Sequence, residues 1–160
     1  MADTRLIAEP GSPRMTVTRE FDAPRDLVFR AFIDPDLIAR WLGPRRLTTE
    51  IVEWDVRHGG AWRYISHDPS GATFGFRGVF HGTPSPEQIT QTWEFEGYPG
   101  HPQLQEATFE EHDGRTIARL TVVCLSVEDR DGHIAAGMES GMNEGFERLD
   151  ELLAEQVAVG

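Results

Sequence analysis

Gly137-Met138-Glu139-Ser140-Gly141-Met142-Asn143-Glu144-Gly145-Phe146-Glu147-Arg148-Leu149-Asp150-Glu151-Leu152-Leu153 is the stretch whose periodicity decides how the rest of the chain must be arranged. At about 100° per residue, Met138, Met142, Phe146, Leu149 and Leu153 fall on one apolar stripe of a helix. Glu139, Glu144, Glu147, Asp150 and Glu151 lie on the opposite face. The pattern predicts a long helix from near Asp131 to about Gln156. Gly137, Gly141 and Gly145 recur every fourth residue along the edge of the stripe. A glycine inside a helix costs about 1 kcal/mol relative to alanine, so the three together remove ~2–3 kcal/mol. Close backbone packing or empty space beside the stripe would offset that deficit. A frayed first turn accounts for Gly137 more readily than for Gly145.

Upstream of this helix the punctuation is that of an antiparallel sheet. Short β-type runs predict strands over Thr48–Trp54, Gly60–His67, Thr73–Gly82, Gln88–Glu96, Leu104–Glu111 and Arg115–Ser126. His58-Gly59-Gly60, Asp68-Pro69-Ser70-Gly71, Thr83-Pro84-Ser85-Pro86 and His112-Asp113-Gly114 supply the turn chemistry between them. Before the sheet, Met15 to Phe21 alternates as a first strand. Asp22 and Pro24 open a helix carrying Leu27, Val28, Ala31 and Phe32, and Asp34-Pro35 breaks it. A second short helix reaches Trp41 and stops at Gly43-Pro44. Strands followed by one long terminal helix indicate an α+β layer architecture with the helix across one face of the sheet. The expected organisation is a flexible leader over 1–14, a single domain over 15–156 and a tail over 157–160.

A chain of 160 residues suits one domain with one substantial core. Its 39% hydrophobic and 26% charged residues are those of an ordinary globular protein. Fifteen basic against 27 acidic residues give a net charge of −12, which disfavours nucleic acid and anionic membrane surfaces as partners. The first 14 residues lack the apolar segment of a secretory signal, so a cytoplasmic location is expected. The single cysteine, Cys124, lies in an apolar run and reads as a buried structural thiol.

Aromatic residues alternate along several strands: Trp62 and Tyr64, Phe74 and Phe76, Trp93 and Phe95. Alternation puts each pair on one face. Facing Met138, Met142 and Phe146 of the helix, they would enclose a large apolar interior, with Gly75 and Gly78 leaving room inside it. Such an interior is either a solid core or a ligand cavity, since periodicity does not register a void. Trp41, at the end of the second short helix, is either an anchor or one wall of an entrance. Tyr64 is the candidate with a polar handle for orienting a ligand or donating a proton.

Four motifs, in order, carry a family resemblance: Phe21-Asp22-Ala23-Pro24-Arg25-Asp26-Leu27-Val28-Phe29-Arg30-Ala31-Phe32; Asp34-Pro35 with Arg40-Trp41-Leu42-Gly43-Pro44; Asp55-Val56-Arg57-His58-Gly59-Gly60-Ala61-Trp62; and Gly141-Met142-x-x-Gly145-Phe146 with Leu149-Asp150-x-Leu152. Together they resemble the activator-of-Hsp90-ATPase-homologue-like proteins of the START-like (SRPBCC), helix-grip superfamily. Leu42, His58 and Phe146 depart from the commoner tryptophan, proline and tryptophan of that pattern. The resemblance implies a sheet of about seven antiparallel strands wrapped around a long C-terminal helix, with a cavity between them. Many relatives in the superfamily bind hydrophobic small molecules, and some are cyclases, aromatases or hydrolases.

The chain's own chemistry favours binding over catalysis. The six histidines show no metal-ligand spacing, and no nucleophile elbow, phosphate loop or dinucleotide fingerprint is present. No cofactor and no metal are expected. Most histidines, and the carboxylate pairs Glu110-Glu111 and Asp150-Glu151, read as solvated, and Arg57 as a clamp on Asp55. Arg63 and Arg77 should face away from the aromatic side of their strands. The expected function is binding of a hydrophobic or aromatic small molecule, with Trp41, Trp62, Tyr64, Phe74, Phe76, Trp93, Phe95, Met138, Met142 and Phe146 around it. A cyclase-, aromatase- or hydrolase-type enzyme using the same cavity is the alternative. A weak homodimer and a chaperone or regulator contact are lesser expectations.

Overall fold

Alternation from Arg14 to Phe21 buries Met15, Val17, Arg19 and Phe21 on one face of a strand, β2 (Arg14–Phe21). In the computed structural model, which describes residues 4–159, a further strand precedes it, β1 (Arg5–Ile7). β1 pairs antiparallel with β2, Leu6 opposite Val17. The segment expected to be a flexible leader therefore supplies an edge strand; Met1 to Asp3 lie outside the described residues. Two short helices follow, α1 (Arg25–Ile33) and α2 (Pro35–Trp41). The residue before α1 is Pro24 and not Asp22. At α2 the Asp34 carboxylate accepts the Asp36 N–H at 2.9 Å with Pro35 in the first turn. The Trp41 indole N–H donates to the Ala31 carbonyl at 2.9 Å, tying α2 to α1.

The remaining strands are β3 (Thr48–Trp54), β4 (Ala61–His67), β5 (Thr73–Val79), β6 (Gln88–Phe95), β7 (Gln103–His112) and β8 (Arg115–Val123). They form one antiparallel sheet of eight strands in the order β1-β2-β8-β7-β6-β5-β4-β3, one strand more than expected. The join between β5 and β6 is short: Phe76 pairs with Phe95 and Arg77 with Glu94, after which the Thr92 hydroxyl accepts the Val79 N–H at 3.0 Å.

The single long helix expected from Asp131 is two helices, α3 (Val127–Ala135) and α4 (Met138–Val159). Ser126 caps α3 by accepting the Asp129 N–H at 3.1 Å, and Gly137 ends it at φ 91°. Gly137 is thus a break between helices and not an interior residue. α4 continues through Val159, so the tail expected over 157–160 is helical as far as the described residues extend.

The C-terminal half of α4 packs into the core through Leu149, Leu152 and Leu153. They meet Val17, Phe21, Phe109 and Ala118 of the sheet and Val28 and Ala31 of α1 within one apolar cluster. Arg19 is buried among them. Its guanidinium holds Asp150 through two bonds of 2.9 and 2.7 Å and lies 4.9 Å from the centre of the Phe21 ring. Asp150, expected to be solvated, is the counter-charge of a buried arginine. Cys124 is buried beside Met15 and Val122, and burial pushes its thiol up to about 11.

Candidate functional site

Between β4–β7 and the first turns of α4 the interior is hollow. A cavity of about 500 Å³ opens there, within the range of small-molecule sites. All ten residues named from the sequence line it. Trp62 and Tyr64 come from β4, Phe74 and Phe76 from β5, Trp93 and Phe95 from β6, Trp41 from the end of α2, and Met138, Met142 and Phe146 from α4. Trp54 of β3 joins them, so all four tryptophans of the chain face the same space.

The sheet wall is a continuous run of rings. Trp62 stacks on Tyr64 with centroids 5.6 Å apart and planes at 15°, and Tyr64 stacks on Phe76 at 5.0 Å and 25°. Phe76 then meets Trp93 at 5.3 Å and Phe95 at 5.2 Å. On the helical side, Trp41 lies 4.9 Å from Phe32 and 6.1 Å from Phe146. Trp41 is both anchor and wall: it is buried, bonded to Ala31, and borders the cavity. Burial pushes the Tyr64 phenol up to about 12, with the Trp93 indole N–H opposing the shift.

The glycines act by close approach more than by leaving room. A Cβ on Gly78 would overlap the Thr92 carbonyl and the Trp62 indole, so Gly78 is what lets Trp62 lie flat on the sheet. Gly75 sits under the Glu96 carboxylate on the other face, where Arg63 holds Glu96 at 2.6 and 2.9 Å. On α4, a Cβ on Gly145 would stand 3.1 Å from the Trp41 carbonyl oxygen and 3.3 Å from the Gly43 nitrogen. Gly145 lets α4 touch the backbone at the end of α2. Gly141, by contrast, borders open space, its nearest neighbour being the Pro44 ring at 3.9 Å.

Over the cavity passes the α2–β3 loop, whose Leu42, Gly43 and Pro44 form part of the lining. Arg148 of α4 donates to the Gly43 and Pro44 carbonyls at 3.2 and 3.4 Å. Glu144 accepts the Arg45 N–H at 3.1 Å, and Glu151 pairs with the Arg45 guanidinium. Burial pulls the Arg148 guanidinium down from its ordinary value. Arg57 holds Asp55 at 2.7 Å as expected, on the outside.

The sequence pattern does not single out the polar lining. Gln103 and Gln105 occupy alternate inward positions of β7, and Gln91 lies opposite Gln105 on β6. Gln91 donates to Gln105 at 3.0 Å, and Gln105 donates to Gln103 at 2.9 Å. His133 of α3, expected to be solvated like most histidines, is half-buried against the edge of Trp93, with ring centroids 5.7 Å apart. Burial holds its imidazole below the ordinary value, an effect that Asp129 opposes and His101 reinforces. Two glutamines spaced i, i+2 on the apolar face of a strand are the signal that would have found this end of the cavity.

The family model of the activator of Hsp90 ATPase homolog 1-like proteins matches residues 22–154. The chain belongs to this family. Its fold is that of a Rhodobacter sphaeroides protein, 25% identical, with a TM-score of 0.86 over 96% of this chain and 99% of that one. The Ms6760 protein of Mycobacterium smegmatis is 23% identical, with a TM-score of 0.85 over 96% and 97%. The AHSA1 protein of Silicibacter pomeroyi, 19% identical, has a TM-score of 0.71 over 89% and 99%. At these identities the last two establish the helix-grip fold alone. No curated protein sequence matches the chain. Among the described residues no helix is long and apolar enough to cross a membrane.

Proposed function

We propose that this family member binds a hydrophobic or aromatic small molecule in the cavity between the sheet and α4. The observation that carries the reading is the cavity itself, about 500 Å³ and walled by an unbroken run of aromatic rings facing two methionines. Aromatic walls provide large contact area with few rotamers to freeze, and methionine adapts to ligands of different outline. Binding is favoured over proton-transfer catalysis at Tyr64, because a phenol near 12 is far from the value that suits a proton donor at neutral pH.

Native mass spectrometry of freshly purified protein tests this directly. The expected spectrum contains a non-covalent adduct that is lost on mild activation, and adding that compound back should change the fluorescence of the four cavity tryptophans. A protein that carries no adduct and shows no fluorescence response to a panel of apolar compounds would overturn the reading.

A further inference from the structure

The polar end of the cavity specifies the kind of head group that fits there, given the binding reading above. Gln91, Gln105 and Gln103 form a directed chain, each amide donating to the next carbonyl oxygen, 3.0 and then 2.9 Å. The chain ends at Gln103, whose oxygen is used and whose NH2 is left as the terminal donor. Gln103 is only 5% exposed and lies beside Trp93, its cross-strand partner, on the cavity wall. No group of the described residues accepts from this NH2, which stays open to the cavity, so a ligand oxygen placed there would complete the chain.

Charge complementarity narrows the choice. Among the described residues, two ionisable groups other than the Tyr64 phenol border the cavity: His133, whose burial favours the neutral imidazole, and Glu106, whose side chain strand alternation turns away from Gln103 and Gln105. Its carboxylate accepts from Gln88 at 3.0 Å and borders a shallow groove on the outer face with Arg14 and Thr121. Among the described residues, no arginine or lysine side chain lines the cavity. A carboxylate ligand would lose its water there without gaining a cation.

We infer that the cavity selects a neutral amphipathic ligand, an apolar body carrying an uncharged carbonyl that accepts a hydrogen bond from Gln103. Gln105 and Gln91 are positioning residues. They orient the Gln103 amide and polarise it through the chain.

Three probes of similar outline test this by equilibrium dialysis: flavone, 2-phenylnaphthalene, which lacks the carbonyl, and flavone-6-carboxylate. Flavone should bind roughly two- to tenfold tighter than the hydrocarbon, the span expected of one neutral hydrogen bond. The carboxylate should bind more weakly than flavone. In Gln103→Met the preference for flavone should vanish while hydrocarbon binding is kept, and the shift of the bound flavone carbonyl stretch to lower frequency should disappear. An undiminished preference in Gln103→Met, or a carboxylate that binds tighter than flavone, overturns the inference and leaves the cavity as a binding site. If none of the three probes binds to a protein that carries a co-purified adduct, this inference falls and the binding reading stands; if there is neither adduct nor response to the wider panel, both fall. Should Gln103→Met fail to fold, Gln105→Met removes the donor that orients Gln103, and an unchanged preference there is equally fatal.

Discussion

Toward its C-terminus α4 is packed solid, whereas toward its N-terminus the same helix faces empty space. Leu149, Leu152 and Leu153 are 0–2% exposed and meet α1 and the β2–β8 side of the sheet. Met138 and Met142, two to three turns earlier, are only partly buried and border the cavity against β4–β6. The difference lies in the layer above. α1 fills one end with Val28 and Ala31, while the other end is covered by the α2–β3 loop held by Arg148, Glu144 and Glu151. One helix thus serves as core at one end and as wall at the other, so its two ends should respond differently to the same substitution.

The largest contrast is expected from truncation. Leu149→Ala removes a fully buried side chain from a close-packed region and should lower the unfolding free energy by about 3–4 kcal/mol. Met142→Ala only widens a void that already exists, so its loss should be about 1 kcal/mol or less. Urea denaturation of the two variants measures both. Equal losses would mean that the cavity end is packed as tightly as the leucine end.

A finer contrast separates two glycines one turn apart. Gly141→Ala gains helix propensity and meets nothing closer than 3.9 Å, so it should stabilise by about 0.5–1 kcal/mol. Gly145→Ala gains the same propensity but presses a methyl group on the Trp41 carbonyl and the Gly43 nitrogen, backbone atoms that yield little. It should be neutral or destabilising, and a helix displaced from α2 should weaken ligand binding with it. Thermal melts that show equal gains at both positions would sever the contact between α4 and α2.

How much of this was legible in the sequence follows from the range of the forces involved. Strand positions from Thr48 onward follow from turn chemistry within a few residues, because turns are set by neighbours in sequence. The aromatic face of the sheet and the stripe of α4 follow from alternation and helical period. β1 escapes notice because Arg5-Leu6-Ile7 is too short to show a period; only its partner β2 defines it. The break at Gly137 is masked because Met138 continues the stripe, although Ser126 with Asp129 three residues later marks a separate helix start. Gly75 and Gly78 look like space-makers in the sequence and are contact points in the structure, since Glu96, Thr92 and Trp62 arrive from other strands. The glutamine chain spans β6 and β7, and only their register, Gln91 opposite Gln105, brings it together.

The smallest expected effect concerns the dryness of the hollow end, and His133 reports on it. Its neutral form is favoured in the folded protein by burial, with His101 acting in the same sense and Asp129 against it. The folded value therefore lies below that of the unfolded chain, near 6.5. Above that value the imidazole is neutral in both states and contributes no pH dependence. As pH falls through about 6.5, the unfolded chain takes up the proton first, and stability declines until the folded value is passed. The informative quantity is the difference between wild type and His133→Gln, in which contributions from the rest of the chain cancel. His133→Gln should lose less stability between about pH 7 and pH 5, by a fraction of the wild-type decline, when the two are melted in parallel. A neutral ligand lying against Trp93 and His133 would deepen the burial and widen that difference. Identical pH profiles would show that water reaches the imidazole freely, and the contrast between the two ends of α4 would then be one of solvation and not of packing.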